Sequence, residues 1–134
     1  MKNVFINLIL IVVFLSTVIS GAEPFKVKKQ NSDNTIQSLI VGLNSNNFGL
    51  KTSSAFMIGE LKIKSAVIPL MRMLRNEESD EAKIVAALAL YKLGTPMSIY
   101  TLFQSSRFEK SSRVKKMCLR FYLDYISKNK VIEI

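Results

Sequence analysis

The sequence predicts an all-α protein of about six helices, and three observations support this class. Beyond residue 34 the apolar side chains recur at the three- and four-residue spacing of one helical face, and no stretch alternates as a strand does. Short polar connections and helix-capping residues separate the helical segments. The segments also resemble one another at an offset of 32 residues, which is typical of helical repeat proteins.

The first 22 residues predict a secretory signal peptide. The basic Lys2 precedes an apolar run over residues 4–19, and the small residues 20–22 provide a cleavage site. Cleavage there exports a chain that starts at Glu23, which places the protein in the periplasm of a bacterium or outside the cell. The run is shorter than the roughly 20 residues of a membrane-spanning helix, so an uncleaved membrane anchor is the alternative.

The rest of the chain divides into a leader, one helical domain and a tail. Residues 23–34 are polar without apolar periodicity, and they are predicted to form a flexible leader. The helical repeat domain covers residues 35–128, and residues 129–134 form the C-terminal tail. The predicted helices span Thr35–Leu43, Leu50–Leu61, Ser65–Leu74, Asp80–Leu93, Pro96–Phe103 and Ser111–Lys128.

The fourth helix has the best-marked boundaries. Ser79 or Asp80 can accept hydrogen bonds from its first free amides, and the carboxylate of Asp80 complements the positive end of the helix dipole. At the other end, Gly94 suits a left-handed turn. Thr95 then caps the next helix, and Pro96 is its first residue. These residues predict a tight corner between the fourth and fifth helices.

The repeat relates the even-numbered helices to one another. An offset of 32 takes residues 55–61 onto 87–93 and Lys51 onto Lys83, and the next step reaches Lys115. One helical pair cannot bury its apolar face alone, so such pairs stack around a shared interior. We expect that interior to contain Ile58, Leu70, Leu74, Leu88, Leu93 and Leu102, with small residues at Ala55, Ala86 and Ala87.

Residues 50–74 and 81–103 resemble the short HEAT repeats of the phycobilin-lyase type, and the resemblance covers roughly residues 36–126. The shared pattern is a basic residue, small residues, a Leu-Gly pair and a second helix that contains proline or begins with Val/Ile-Pro. It is carried by Lys51, Ala55, Gly59, Leu61, Val67, Pro69 and Leu70, and then by Lys83, Ala86, Ala87, Leu93, Gly94, Ile99 and Leu102.

This resemblance implies a short right-handed α-solenoid of helical hairpins, with alternate helices on its convex and concave sides. It implies no shared chemistry, because one fold serves unrelated functions. The sequence departs from the pattern at Tyr91, which stands where the first repeat has Gly59. It departs again at Cys118 and Leu119, where small alanines are expected.

The residue inventory argues against an enzyme. Without histidine and with only one cysteine, the chain lacks the usual general base and the usual transition-metal ligands. The acidic cluster of Glu77, Glu78, Asp80 and Glu81 is explained by the start of a helix, and Cys118 by its place on an apolar helical face. We therefore expect no catalytic residue, no cofactor and no metal.

The leading functional prediction is a non-catalytic protein-binding or scaffold module that uses the concave face of the solenoid. Its partner would be another protein of the cell envelope or the extracellular space, and the oligomeric state stays open. If the apolar residues of the third helix face inward, its arginines point into the groove. The predicted partner-binding residues are Pro69, Arg72, Arg75, Tyr100, Thr101 and Gln104. A helix C-terminus that favours cations is the simpler explanation of the two arginines.

The charge distribution suggests an alternative function. The net charge is +9, and residues 107–130 contain eight basic and two acidic side chains. The last helix would then bind anionic lipid or an anionic envelope polymer through Arg113, Lys116 and Arg120. Nucleic acid also suits a basic protein, but the predicted export argues against that partner. A solvated basic helix face without any ligand is the remaining interpretation.

Overall fold

The computed structural model describes residues 29–130, and this part of the protein is entirely helical. Helices contain 85% of it, and no strand occurs among these residues. The predicted signal peptide, the first half of the predicted leader and the last residues of the predicted tail lie outside the described residues. None of the described helices has the length and apolar character needed to cross a membrane.

Six α-helices make up the described chain, which confirms the predicted class and number. A short 3₁₀ turn over Lys64–Ala66 leads into the third of them. In chain order the helices are α1 (Lys29–Leu43), α2 (Phe48–Glu60), α3 (Val67–Asn76), α4 (Asp80–Leu93), α5 (Pro96–Phe108) and α6 (Ser112–Lys130).

The helix boundaries follow the predicted capping residues where such residues occur. Helix α4 has the predicted bounds, and Gly94 adopts the expected left-handed conformation with φ 61°. Helix α1 starts earlier than predicted, within the expected leader. The sequence did not reveal this start, because the first turns of the helix are exposed and show no apolar periodicity. Helix α5 continues beyond Phe103 to Phe108 through a polar stretch that hides its helical character.

The 32-residue repeat is visible in the helix caps. The side-chain oxygens of Asn47, Ser79 and Ser111 accept hydrogen bonds from the backbone N–H three residues later, at distances of 2.9–3.3 Å. Each of these bonds satisfies one amide that the first turn of a helix leaves free. The same local solution therefore starts all three even-numbered helices.

The helices pack as two rows around a common interior. Helix α4 lies between α2 and α6, and α3 lies between α1 and α5. Each odd-numbered helix also packs on the even-numbered helix that follows it. Of the predicted interior residues, only Leu88 is half-buried; the buried ones are Ile58, Leu70, Leu74, Leu93 and Leu102, together with Ala55, Ala86 and Ala87.

Two ion pairs at equivalent repeat positions link successive layers. The Lys51 Nζ lies 2.6 Å from an Oε of Glu77, and the Lys83 Nζ lies 2.9 Å from an Oε of Glu109. Each lysine is on an even-numbered helix, and each glutamate directly follows an odd-numbered one. The 32-residue offset that relates the lysines also relates the glutamates, so the repeat extends to tertiary contacts.

Helix α6 closes one end of the described interior despite its departures from the repeat pattern. Cys118 is fully buried and takes the place of a small alanine, whereas Leu119 points outward and is 43% exposed. The ring of Phe121 stacks on that of Tyr91 at 5.4 Å between centroids. The Tyr125 hydroxyl donates to the Gly94 carbonyl at 3.2 Å and so ties α6 to the corner after α4.

Candidate partner-binding surface

The predicted partner-binding residues lie on two neighbouring helices, α3 and α5. The outward side chains of these helices form one surface, which we call the α3–α5 surface. It consists of Ile68, Arg72 and Arg75 from α3, and of Met97, Tyr100, Gln104, Arg107 and Phe108 from α5.

On α3 the exposed residues form a single stripe. Ile68, Arg72 and Arg75 are spaced by four and then three residues, which places them on one face of the helix. Ile68 is 51% exposed, whereas Leu70 and Leu74 are fully buried on the opposite face. Burial of the leucines therefore fixes the outward direction of the arginines.

On α5 two of the exposed residues are aromatic. Tyr100 is 62% exposed and Phe108 is 73% exposed, the highest value for a large apolar side chain in the described chain. The Gln104 amide donates to the Tyr100 hydroxyl at 2.8 Å. The Arg107 guanidinium lies 5.6 Å from the centroid of the Phe103 ring and 6.0 Å from that of Phe108. This helix presents large, partly fixed contact groups to solvent.

Two shallow open depressions meet at Arg75. Arg75 borders one of them near the C-terminal ends of α3 and α5, and the other lining residues are Gln104, Ser105, Phe108, Lys110 and the paired Lys83 and Glu109. It borders the other beside Ile68 and other residues of α3. The surface is thus concave on both sides of one arginine.

The structure brings four of the six predicted residues to this surface. Arg72 and Arg75 are exposed, Tyr100 is exposed, and Gln104 is half-buried. Thr101 is only 3% exposed, and its hydroxyl donates to a backbone carbonyl of the same helix at 2.8 Å, so it does not reach the surface.

The remaining prediction and the missed residues follow from helix orientation. Pro69 was predicted to face the partner, but it is half-buried. The orientation of α3 turns the preceding residue, Ile68, toward solvent instead. Ile68 is 32 residues before Tyr100, so the repeat itself contained the signal for it. Sequence reasoning missed Phe108 and Lys110, because the predicted fifth helix stopped at Phe103.

The arginines of the α3–α5 surface form no ion pair within the described part of the chain. Neither α3 nor α5 contains an aspartate or a glutamate. In every ion pair between described residues, the cation belongs to an even-numbered helix. Arg72, Arg75 and Arg107 have no carboxylate at ion-pair distance among residues 29–130. These three guanidinium groups are free to bind an external anion.

The three cations of α6 that were predicted to bind an anionic surface differ in whether they form an ion pair. Arg113 pairs with Glu81 of α4, and this hydrogen bond lowers the pKa of the Glu81 carboxyl. Lys116 and Arg120 are exposed, and the exposed Leu119 lies between them in the sequence. Two of the three predicted cations are therefore available on α6.

The candidate reactive groups are occupied by structural contacts. Burial raises the pKa of the Cys118 thiol to about 12, so the thiol is protonated at neutral pH and is a weak nucleophile. In the acidic cluster, Glu77 pairs with Lys51, and Asp80 accepts a hydrogen bond from the Ser111 hydroxyl at 2.6 Å. No group of three potential metal ligands occurs within the described part of the chain.

Comparison with known proteins provides no family for this chain. No protein-family model matches it, and no curated protein matches it either.

Proposed function

We propose that the protein is a non-catalytic binding or scaffold module, exported by its N-terminal segment, that holds another protein of the envelope or extracellular space on the α3–α5 surface. In this proposal the two rows of helices form a short right-handed HEAT-like solenoid, and α3 and α5 line its concave side. The packing of α2, α4 and α6 as one row and α1, α3 and α5 as another supports the arrangement.

The observation that carries the proposal is the combination of free arginines and exposed aromatic rings on adjacent helices. Arginine and tyrosine dominate the binding energy of many protein interfaces. Here Arg72 and Arg75 lack an intramolecular anion among the described residues, and Tyr100 and Phe108 expose most of their side chains. Helix-dipole stabilisation accounts for an arginine near a helix end, but it does not account for the exposed rings beside it.

Site-specific photo-crosslinking in the native cells tests this proposal. A photoreactive phenylalanine analogue at Tyr100 is expected to give a discrete adduct with another protein, and Arg72→Ala is expected to reduce its yield several-fold. The same analogue at Met57, an exposed residue of α2, is the matched control. Absence of an adduct from Tyr100, or equal adducts from both positions, would contradict the proposal.

A second candidate function has one specific observation in its favour. On α6, Lys116 and Arg120 are exposed beside the exposed Leu119 and Leu123, which is the composition of a helix that lies on an anionic membrane surface. Sedimentation with anionic vesicles but not with neutral ones, lost when Lys116 and Arg120 are both changed to glutamate, would favour this candidate over the first.

A further inference from the structure

The charge pattern of the α3–α5 surface indicates the kind of partner that the surface fits. Lys51, Lys83, Lys92 and Arg113 of the even-numbered helices each pair with a carboxylate from another part of the described chain. Helices α3 and α5 carry three arginines and no carboxylate. These arginines form no ion pair with the described chain, and Glu109, the carboxylate that lines the depression beside Arg75, is paired with Lys83. The surface is therefore positively charged and complementary to an anion.

The guanidinium groups of α3 and their spacing indicate which anionic groups the surface can bind. Arg72 and Arg75 project from one face of α3, about one helical turn apart. A guanidinium group presents a planar fork of N–H donors that matches a carboxylate in a bidentate contact. Lys110 lines the same depression as Arg75 and Phe108 and contributes a further positive charge. Two or more carboxylates can thus be bound along this path.

Apolar side chains alternate with these charges. Ile68 lies one turn before Arg72 and is half exposed, and Phe108 borders the same depression as Arg75. A bound segment that covers this path must therefore carry apolar side chains as well as acidic ones, because exposed apolar area gains most from burial.

Two other occupants fit the surface less well. A second copy of this chain carries a net charge of +9 and is repelled. A nucleic acid offers phosphates for the arginines and bases for the rings, but it has no aliphatic groups to cover Ile68 and Met71, which line a depression with Arg72. An acidic peptide with apolar residues supplies both kinds of group.

We infer that the α3–α5 surface binds an acidic peptide segment of its protein partner. Carboxylates of that segment pair with Arg72 and Arg75, and an apolar side chain packs against Phe108 in the depression beside them. This inference rests on the proposed function, and it adds the chemistry of the partner.

Fluorescence anisotropy with a labelled synthetic peptide tests the inference on the full chain. The probe is a short peptide of glutamates interrupted by phenylalanines, and its counterpart replaces every glutamate with lysine. Changing Arg72 and Arg75 to glutamate is expected to weaken binding of the acidic peptide at least about tenfold, since close charge pairs at interfaces couple strongly. The same variant is expected to bind the lysine counterpart better than the unmodified protein does.

A matched control separates the site from net charge. Changing Lys116 and Arg120 to glutamate alters the net charge equally on exposed positions of α6, and it is expected to weaken peptide binding no more than about twofold. Equal weakening by both double variants would overturn the inference. A milder pair, Arg72→Gln with Arg75→Gln, removes the charges without introducing repulsion, and circular dichroism checks the helical content of every variant.

Two further outcomes distinguish this inference from the proposed function. If the Tyr100 crosslink to a protein persists when Arg72 and Arg75 are glutamate, the surface binds a protein without carboxylate pairing, and only the inference fails. Absence of any crosslink overturns the proposed function itself. Displacement of the peptide by a single-stranded oligonucleotide at lower concentration than by the unlabelled peptide identifies a nucleic-acid site and also overturns the inference.

Discussion

Glu109 shows how one half-buried side chain joins three parts of the molecule. Its carboxylate follows α5, accepts from the Lys83 ammonium of α4 at 2.9 Å, and accepts from the backbone N–H groups of Lys110 and Ser111 before α6. Burial by itself raises the pKa of this carboxyl, but the hydrogen bonds and the charge of Lys83 outweigh burial and lower the pKa from 4.5. The ionised form is therefore the one that stabilises the fold.

The lowered pKa predicts how Glu109→Gln changes with pH. A carboxyl whose pKa is lower in the folded state contributes stability above the unfolded pKa and loses it as the pH falls through the folded value. We expect the variant to be less stable than the unmodified protein by about 2 kcal/mol at pH 7, and the difference to shrink below pH 4.5.

Urea unfolding at pH 7 and at pH 3.5, followed by circular dichroism, measures this difference. Glu78→Gln is the matched control, because Glu78 is exposed and has no ion pair among the described residues. A stability difference for Glu109→Gln that is as large at the lower pH would show that its charge is not responsible.

At the scale of the element, helix α4 packs differently against its two neighbours in the even-numbered row. It lies close to α2, as shown by the 2.9 Å that would separate a Cβ on Gly59 from the Ala89 Cα. Against α6 the equivalent position is Tyr91, whose ring stacks on Phe121 and whose hydroxyl donates to Asp124. Equivalent repeat positions therefore differ in size: a glycine lies at the contact of α2 with α4, and a tyrosine packs its ring at the contact of α4 with α6.

The close approach predicts the outcome of Gly59→Ala. Alanine is the better helix former by about 1 kcal/mol, yet its methyl group meets backbone rather than the flexible end of a side chain. We expect a net destabilisation of about 1–3 kcal/mol, as for other overpacked interiors, measured as a lower urea midpoint.

Gly49→Ala is the matched control within the same helix. Its added Cβ meets only the Asn47 Oδ1 at 3.4 Å, so we expect unchanged or slightly higher stability. If Gly59→Ala proves as harmless as Gly49→Ala, the two helices are further apart than described.

At the scale of the whole molecule, α4 is the central element and α1 is a peripheral one. Helix α4 packs against α2, α3, α5 and α6, and most of its residues are buried or half-buried. Helix α1 contacts α2 and, less extensively, α3, and several of its side chains are exposed. Helix α4 is therefore stabilised by contacts with four helices, whereas α1 is stabilised by contacts with two.

This asymmetry predicts the order of local unfolding. Helices with few buried contacts open at lower free energy than the element on which the others pack. We expect the backbone amides of α4 to exchange with deuterium most slowly and those of α1 to exchange fastest, as measured by hydrogen–deuterium exchange. Protection of α1 equal to that of α4 would show that the stack opens as a single unit.

The sequence alone determined the class, the number of helices, their capping and the repeat, because these depend on residues close together in the chain. Ser79, Gly94, Thr95 and Pro96 specify their boundaries through their own hydrogen bonds and backbone preferences. The residues that the apolar spacing placed in the interior are buried except for the half-buried Leu88. Boundaries were predicted less well at the ends of α1 and α5, where no capping residue and no apolar periodicity marks them.

Only the tertiary structure decided which polar and apolar side chains are available to a partner. Helix packing directs Ile68 outward and buries Thr101. It also leaves Arg72 and Arg75 without an ion pair to any described carboxylate. Such features depend on distances between residues far apart in the sequence, and a difference of one position around a helix exchanges a buried side chain for an exposed one. A repeat pattern specifies which residues are equivalent, but the neighbours of each copy determine what its side chains contact.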